Sequence, residues 1–392
     1  MGAIARHKPV SVCFPFVGDL IGGSHFSARD LIRGLDRNRF IPLVLVQKSD
    51  GALAQFFAEA GIATEAAPAS AELRHGVPIG PSHVIALGGR VLALARFLRQ
   101  RGVRIVHSND GRTHATWALS ARMAGAKLLW HHRGAPDAAG LRYLAPLLAN
   151  RVVAVSRFAS PRAGLYSAAP RNDVVHSPFD TSMRYNRSEA RDAILADIGK
   201  DDTTCLVGFS GVFIDRKRPF LFVDAIAALR REAPDLDVHG LMFGEGLEGM
   251  DEQVVAHAGR QGVGDAIHIM GFRTPGAFWL AGCDILMIPA VDEPFGRTLI
   301  EAMLVETPVV ATKSGGNVEA IHDRSTGLLV PAEDADALAS ACVTLLRNPS
   351  TAALIARTAR IEALNNFGVS RHVRAIMAIY DRMVDSEHSR AA

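Results

Sequence analysis

The chain has 392 residues, of which 48% are hydrophobic and 21% are charged, and its formal net charge is +3. This length predicts two or three domains, and the composition is that of a globular protein with sizeable cores. The small positive charge would suit an anionic ligand or an anionic membrane surface, but it is too small to favour a nucleic-acid-binding protein.

The first half of the chain alternates strand-like apolar runs with segments of helical periodicity. The predicted strands are, in order, VSVCFPF, FIPLVLV, RIVHSN, KLLWHH and RVVAVS. The predicted helices between them are HFSARDLIRGL, ALAQFFAEAG, VLALARFLRQRG and RTHATWALSARMAG. Repetition of this kind is typical of a parallel sheet that helices cover on both faces.

The second half repeats this alternation after a polar stretch, HSPFDTSMRYNRSEARDAILADIGKDD. Its predicted strands are TCLVGFSG, LDVHGLMFG, AIHIMGF, DILMIPA, TPVVAT and GLLVP. Its predicted helices are FLFVDAIAALRREA, GMDEQVVAHAGRQG, TLIEAMLV, GGNVEAI and ADALASACVTLLR. We therefore predict an α/β protein made of two Rossmann-like domains whose parallel sheets face an interdomain cleft.

We place the domain junction in the polar stretch, between Pro178 and Arg187. The predicted domains are an N-terminal Rossmann-like domain over residues 1–180 and a C-terminal one over residues 181–365. Residues 366–392 read as an amphipathic helix followed by a polar tail, and we expect this helix to pack back toward the N-terminal domain. Ligands of such sheets bind beyond the carboxyl ends of the strands.

The expected location is the cytoplasm. No apolar run approaches the ~20 residues that span a bilayer, and the first residues do not resemble a signal peptide. Cys13, Cys205, Cys283 and Cys342 are widely scattered, which favours free thiols in a reducing compartment. The basic stretch GRVLALARFLRQRGVR could rest on anionic lipid at the inner face of the membrane, although packing against the N-terminal sheet is the favoured interpretation.

The segment EPFGRTLIE predicts an anion site in the second half. Pro289 ends an apolar strand, and after a short loop a helix is expected to begin near Gly296 or Arg297. A helix N-terminus at the carboxyl end of a strand offers unpaired N–H groups and partial positive charge, which suits a diphosphate. Glu293 on the loop and Glu301 in the helix could contact the two ends of such a ligand, or could be a solvated loop residue and a helix-dipole partner.

This segment, with AMLVETPVVATKSGGNVEAI and GLLVP after it, resembles the donor-site signature of family-4 retaining glycosyltransferases of GT-B fold. The resemblance extends over nearly the whole chain and is densest from Leu206 to Pro331. It implies that Glu293 orients the sugar of a nucleotide-diphosphate sugar and that Glu301 binds its ribose. The implied donor-binding positions in this loop and helix are Phe295, Gly296, Arg297, Thr298 and Leu299.

The loop GVFIDRKRP supplies the cations that a diphosphate needs. Family members carry a basic residue at the position that Lys217 matches best, which implies that Lys217 binds the diphosphate and stabilises the leaving group. The family also commonly has an arginine where this chain has Val212, and Arg216 could replace that contact. A solvated basic loop is the alternative.

The resemblance also implies ligand-facing positions in the N-terminal domain. Gly22 and Gly23 correspond to the glycine turn that faces the donor. Ser24 could cap the helix that follows, and His25 reads as a polar surface residue. His107 corresponds to a histidine that faces the sugar and acceptor, and Asn109 stands where a second histidine is frequent.

Further acceptor-side candidates follow the fourth and fifth predicted strands. They are Asp110, Arg112, His132 and Arg133, and an arginine at a strand end could pair with an anionic acceptor group. The adjacent His131 and His132 would point to opposite faces of a strand, so a shared metal site is not expected.

FGEGLEG matches a dinucleotide fingerprint at Gly244, Gly246 and Gly249, but the following strand ends without the required carboxylate. The family resemblance instead assigns Gly244 to a tight turn beside the donor, with Phe272 and Arg273 flanking the nucleobase. A nicotinamide site remains a weak alternative.

The function that the resemblance implies is a retaining glycosyltransferase of hexosyltransferase type, acting in glycan, polysaccharide, glycolipid or cell-envelope biosynthesis. It would use no cofactor and require no metal, and its partners would be a nucleotide sugar and a carbohydrate or lipid-linked acceptor, not a nucleic acid. A sugar-nucleotide epimerase of the same fold and a non-catalytic nucleotide-sugar-binding protein are the alternatives.

Overall fold

The computed structural model describes residues 8–68 and 81–385. The chain forms two compact units. Unit 1 comprises Met1–Pro178 together with Val369–Ala392, and unit 2 comprises Phe179–Gly368.

Unit 1 contains a seven-stranded parallel sheet in the order β3-β2-β1-β4-β5-β6-β7. Its strands are β1 Val10–Pro15, β2 Phe40–Val46, β3 Thr64–Ala66, β4 Ile105–Ser108, β5 Lys127–His132, β6 Arg151–Ala154 and β7 Asn172–Val174. After β3 the chain returns to the other side of β1, so the switch in strand order falls between the neighbouring strands β1 and β4. In sheets of this kind such a switch marks the place where ligands bind.

Helices cover both faces of this sheet. They are α1 Gly23–Gly34, α2 Ala52–Glu59, α3 Pro81–Gln100, α4 Gly111–Ala124 and α5 Ala145–Leu148, the last entered through a π-helical turn at Gly140–Leu144. Alternate residues of a strand face opposite sides. Accordingly Phe14 packs with α1 and α2, whereas Cys13 packs with α3 and α4. Leu94 and Leu98 of α3 are buried in the second of these cores, as the packing interpretation of the basic stretch predicted.

Unit 2 contains a six-stranded parallel sheet in the order β10-β9-β8-β11-β12-β13. Its strands are β8 Cys205–Ser210, β9 Val238–Phe243, β10 Ile267–Gly271, β11 Ile285–Ile288, β12 Val309–Thr312 and β13 Leu328–Val330. The switch in strand order falls between β8 and β11, so the loops that follow these two strands lie at the place where a ligand is expected.

The helices of unit 2 complete two layers around that sheet. They are α6 Arg187–Ile198, α7 Pro219–Glu232, α8 Met250–Arg260, α9 Gly276–Gly282, α10 Arg297–Leu304, α11 Asn317–Ala320, α12 Ala335–Leu346 and α13 Pro349–Asn366. One core lies between the sheet and helices α7, α8 and α12, and a smaller one lies under α6 and α9.

The last helix, α14 (Val369–Asp385), belongs to unit 1. Its apolar face, including Ile376 and Tyr380, is buried in the core that α1 and α2 also cover. Ion pairs from Arg39 to Asp381 and from Arg382 to Asp173 hold its outer face.

The predicted fold class is confirmed: both halves are Rossmann-like parallel sheets, and each predicted strand and helix corresponds to an observed element. The prediction missed the three-residue strands β3 and β7 and the helices α5, α6, α9 and α13. Helix α6 lies within the stretch that was interpreted as polar, because it buries only Ala190, Ile194 and Leu195. Within residues 8–68 and 81–385, no helix has the length and apolar character needed to cross a bilayer.

Candidate functional site

Glu293 lies on the loop between β11 and α10 and is only 8% exposed. Its carboxylate contacts two cations from the loop after β8. The Lys217 ammonium lies 3.0 Å away, and the Arg216 guanidinium donates a short hydrogen bond to the same oxygen. The solvated-loop alternative for Glu293 is therefore wrong, because its carboxylate is buried and paired with two cations.

The protonation of Glu293 follows from these partners. Burial alone would raise the pKa of this carboxyl, but Lys217 and Arg216 together lower the pKa below its ordinary value. Glu293 is consequently ionised at neutral pH. The two cations carry one charge more than the carboxylate, so the cluster as a whole attracts an anion.

The N-terminus of α10 lies directly after this loop. Gly296 precedes the helix with φ of 76°, a conformation that favours glycine, and no side chain among the described residues caps the helix. Phe295 and Leu299 are buried, and Thr298 is half-buried. The first-turn amides of an uncapped helix are available for an anion.

A Gly-Gly turn after β12 supports the Glu293 loop from behind. The Gly316 amide donates to the Glu293 carbonyl at 2.7 Å. A Cβ at Gly315 would lie 2.5 Å from that carbonyl oxygen, and one at Gly316 would lie 2.6 Å from the Pro294 oxygen. Gly315, Gly316 and Asn317 were not among the site residues predicted from the sequence. The signal was the SGGN sequence immediately after a buried strand.

A second pair of glycines sits behind Lys217. Gly211 ends the β8 segment with φ of 138°, and a Cβ there would lie 3.3 Å from Cε of Lys217. Gly244, after β9, packs so closely that a Cβ on it would lie 2.1 Å from the Gly211 oxygen. Gly244 therefore supports the cation loop. The Gly246 amide is bound by the Asp251 carboxylate, which begins α8, so this part of the fingerprint is occupied by the protein itself.

Glu301 lies on α10, one turn beyond its start. It forms an ion pair with Arg297 at 3.6 Å, and the Arg297 guanidinium also stacks on the Phe179 ring. Burial raises the pKa of Glu301 above its ordinary value, and Arg297 offsets this only in part. The nearby Tyr185 has a raised pKa, caused by burial and by the charges of Asp180 and Glu301. Sequence reasoning did not find Tyr185.

The predicted nucleobase residues differ in their surroundings. Phe272 is 73% exposed after β10 and is free to meet a planar ligand. Arg273 is held within unit 2: it donates to the Asp197 carboxylate and to the Met270 carbonyl, and it stacks on Trp279. Val212, at the position where the family commonly has an arginine, is exposed.

His107 and Asn109 in unit 1 do not face a ligand, and this part of the prediction needs correction. His107 is completely buried, with one ring nitrogen bonded to Tyr380 and the other to His131 at 3.0 Å. Asn109 is also completely buried and donates to the His107 carbonyl. The physical reason for the burial of His107 is that Tyr380 of α14 packs against it. The sequence predicted that this helix packs toward the N-terminal domain, but not which strand it contacts.

Of the acceptor-side candidates that follow β4, one caps a helix and the other is exposed. Asp110 accepts from the amide and hydroxyl of Thr113 and so caps α4. Arg112 is exposed beside Gly18, where its guanidinium would lie 3.2 Å from a Cβ.

The two strand-end candidates are bound within unit 1. His132 is bonded to the Ala135 carbonyl, whereas its neighbour His131 contacts His107, so the two rings point apart as predicted. Arg133 donates to Ser177. The described residues contain no group of three or more His, Cys, Asp or Glu side chains that could hold a metal ion.

The glycine turn of unit 1 corrects two further expectations. Gly22 is the N-cap of α1, so Ser24 does not cap the helix, which already begins at Gly23. His25 is not a surface residue: it is 9% exposed, accepts from the Gly22 amide at 3.0 Å and packs against Phe16. Burial lowers the pKa of His25. A Cβ at Gly22 would meet open space.

Part of unit 2 matches a known protein family. Residues 204–348 match the family model described as "Glycosyl transferases group 1". The matched residues all lie in unit 2, which is thus similar to this family. The matched residues include Lys217, Glu293, Glu301 and the Gly-Gly turn, and the match confirms the predicted resemblance at the level of glycosyl transferases group 1.

Two curated relatives extend the similarity. The chain is 34% identical over 194 residues to D-inositol 3-phosphate glycosyltransferase of Pseudarthrobacter chlorophenolicus, covering 48% of this chain and 45% of the relative. It is 28% identical over 232 residues to the lipopolysaccharide core biosynthesis mannosyltransferase LpsB of Rhizobium meliloti, covering 57% and 64%. The chain thus spans about half to two thirds of the length of these relatives.

Solved structures show the fold of the whole chain. Anabaena Alr3699/HepE in complex with UDP superposes with a TM-score of 0.78 at 21% identity, covering 95% of this chain and 100% of that one. A glycosyltransferase from Rickettsia africae superposes with the same TM-score at 18% identity, covering 96% and 99%. The two units therefore have the GT-B fold.

Proposed function

We propose that the protein is a glycosyltransferase that moves a sugar from a nucleotide-diphosphate sugar to an acceptor hydroxyl. The observation that carries this proposal is the buried Glu293 carboxylate held between Lys217 and Arg216 at the start of α10. This arrangement combines a diphosphate-binding surface with an acid positioned to accept from sugar hydroxyls.

The cations and the helix would act on the leaving group. Transfer of the sugar breaks the bond between the anomeric carbon and the diphosphate, so negative charge develops on the diphosphate oxygens. Lys217 and the first-turn amides of α10 are fixed in advance, because Gly211 and Gly316 pack behind them. Fixed donors stabilise developing charge without having to reorganise during the reaction.

Glu293 has a double role in this proposal. Without donor, it is the counter-charge of Lys217 and Arg216. When the donor diphosphate binds Lys217 and Arg216 in place of Glu293, the Glu293 carboxylate becomes available to accept hydrogen bonds from hydroxyl groups of the sugar. Glu301 would accept from the ribose hydroxyls, for which it must be ionised, and the ion pair with Arg297 favours that form.

The comparisons support the transferase part of this proposal. Two relatives are named for glycosyl and mannosyl transfer, and the HepE structures contain UDP, glucose or UDP-glucose. We infer a retaining reaction from the family-4 motif and an acceptor from glycan, polysaccharide or glycolipid biosynthesis. We further propose that the reaction needs no metal, because Lys217, Arg216 and the α10 amides supply the positive charge.

Two experiments test the proposal. The first is thermal shift with UDP-, GDP- and ADP-linked sugars, comparing Lys217→Met with the matched control Lys200→Met. Lys200 also pairs with a carboxylate of unit 2, that of Asp237. Loss of stabilisation in Lys217→Met alone is expected, and failure of all the nucleotide sugars to stabilise the wild-type chain would refute the proposed donor site.

The second experiment separates the alternatives by incubating the chain with labelled donor alone. A sugar-nucleotide epimerase would convert the donor completely without an acceptor, whereas a transferase would leave most of it intact. A non-catalytic binding protein would bind the donor but give no transfer in an extract of candidate acceptors, and Glu293→Ala would change nothing in that assay.

A further inference from the structure

Unit 1 contains a pocket of about 330 Å³ between the segments that follow β5 and β6. We propose that this pocket binds the anionic group of a charged saccharide, a carboxylate or a phosphate on a sugar ring. The inference deepens the proposed function and rests on it, since such a saccharide would be the acceptor or part of it. The residues that carry the argument are Asp137, Arg142, Arg162 and Tyr166.

The position of the pocket follows from the parallel sheet. β5 ends at His132 and β6 ends at Ala154, so the segments after them emerge at the same edge of the sheet. The first segment lines the pocket from Pro136 to Arg142, and the second lines it from Pro161 to Ser167. Carboxyl edges of parallel sheets are where such folds bind ligands.

The electrostatics of the pocket favour an anion. Arg142 and Arg162 both line it and are exposed. Across the described residues, neither guanidinium has an ion pair or a hydrogen bond, and Arg142 makes only a stacking contact with Tyr143. Two like charges in one pocket repel each other, and an anion between them removes that repulsion. The planar fork of a guanidinium matches carboxylate and phosphate oxygens.

The other wall residues favour a saccharide over a simple anion. Asp137 places a carboxylate in the same pocket, which can accept from sugar hydroxyls but would repel a bare anion. Tyr166, 66% exposed, offers an apolar ring face with a hydroxyl at its edge. A ring that carries both hydroxyls and one acidic group would satisfy all four side chains.

The walls are held in place before any ligand binds. The Ser167 hydroxyl donates to the Arg162 carbonyl and accepts from the Ala169 amide at 3.0 Å, which fixes the second segment. Gly140 packs against Trp130, where a Cβ would lie 3.1 Å from the ring. This contact fixes the π-helical turn that carries Arg142. Fixed walls lower the ordering cost of binding.

An anionic membrane is the competing occupant, because Tyr143, Leu147 and Leu165 are exposed near the pocket. The concave shape and the Asp137 carboxylate argue against it, since a flat anionic surface would not enter the pocket and would be repelled by that charge.

The test uses the full chain and saturation-transfer NMR with three probes: glucuronic acid, glucose 6-phosphate and neutral glucose. The carboxylate and phosphate probes distinguish the two sources of the charge. The variant is Arg142→Gln with Arg162→Gln, and the matched control is Arg122→Gln, an exposed arginine on α4 outside the pocket. Circular dichroism checks that each variant is folded.

At least one charged probe is expected to bind about tenfold more tightly than glucose, and the double variant should lose that advantage while the control keeps it. Equal binding of all three probes, or an advantage that survives the double variant, would overturn the proposal. A third result would also overturn the proposal: no charged sugar binds, the wild-type chain sediments with phosphatidylglycerol vesicles, and the double variant does not. Nucleotide-sugar thermal shift in the same samples reports on the donor site of unit 2, so failure of one site is distinguishable from failure of the other.

Discussion

Mild acid should unfold unit 1 through its buried histidines. His107, His114, His131 and His372 are each at most 4% exposed. Arg133 donates to Nδ1 of His131, so that nitrogen is an acceptor and His107 donates to it through Nε2. These hydrogen bonds are those of two neutral rings.

The direction of the pKa shifts gives the sign of the effect. Burial first, and then the charge of Arg133, lower the pKa of His107 and His131 well below the ordinary value. Burial likewise lowers the pKa of His114, and it lowers the pKa of His372 to about 3. The unfolded chain takes up protons near pH 6.5, and the folded chain does not. Stability is therefore fully present above about pH 6.5 and falls as the pH is lowered.

The magnitude is large compared with the stability of a domain. One pH unit below the unfolded pKa, each histidine that stays neutral costs about 1.4 kcal/mol. Four such side chains remove about 6 kcal/mol at pH 5.5. Domains of this size have roughly 5–15 kcal/mol of stability in total. Unit 1 is thus expected to lose its native structure between about pH 5 and pH 5.5.

The assay uses the positions of the three tryptophans. Trp117 and Trp130 lie in unit 1 and Trp279 in unit 2, so a Trp279→Phe background makes tryptophan fluorescence specific to unit 1. Urea unfolding is followed at several pH values between 5 and 8. His372→Asn keeps a donor for the carbonyl that His372 binds but removes the titration, and it should reduce the pH slope by about one proton.

The control is His322→Asn, because His322 is an exposed residue of unit 2 and should leave the slope of unit 1 unchanged. A urea midpoint of unit 1 that stays constant from pH 7.5 to pH 5.5 would show that the histidines become protonated inside the folded unit. In that case the assignment of neutral buried rings would be wrong.

Three further changes test unit 2. Gly244→Ala should cost at least about 2 kcal/mol in urea unfolding, because its Cβ would overlap the backbone at φ of 140°, whereas Gly259→Ala, in α8 with open space, should be neutral or stabilising. Gly316→Ala should weaken UDP binding in calorimetry by displacing the Glu293 loop, and unchanged affinity would remove that turn from the site. Glu293→Gln should abolish sugar transfer but tighten UDP binding severalfold, because it frees the two cations, and weaker UDP binding would contradict the proposed exchange of partners.

The sequence predicted the sheets well because buried parallel strands are continuous apolar runs. VVAT and ILMI read as strands without any tertiary information, and both are completely buried. The elements that were missed lack this signal. β3, the segment TEA, is three residues long and partly exposed, and α13 exposes Leu354 and Ile361 alongside its buried alanines.

The predicted geometry of the Glu293 loop matches the structure because it is local in sequence: the helix begins at Arg297, as expected. Within EPFGRT, the order of a carboxylate, a glycine and a helix start is enough to predict an anion site. The free amides of a helix N-terminus are formed by residues that are adjacent in sequence. The support of that loop by the Gly-Gly turn was not predicted, because it depends on β11 and β12 lying side by side.

The histidines show why the unit 1 prediction failed. His107 lies in β4 and His25 in α1, and the sequence suggested a ligand-facing position for His107 and a surface position for His25. Their environment is set by distant residues: Tyr380 is 273 positions from His107 and reaches it only because α14 joins unit 1. A buried histidine and a ligand-facing histidine look identical in sequence, and the difference lies in whether another element covers the end of the strand. In unit 2 the carboxyl edge of the sheet carries Lys217 and Glu293, whose opposite charges can remain buried there only because they pair with each other. Their pairing therefore points to a function in a way that the neutral histidines of unit 1 do not.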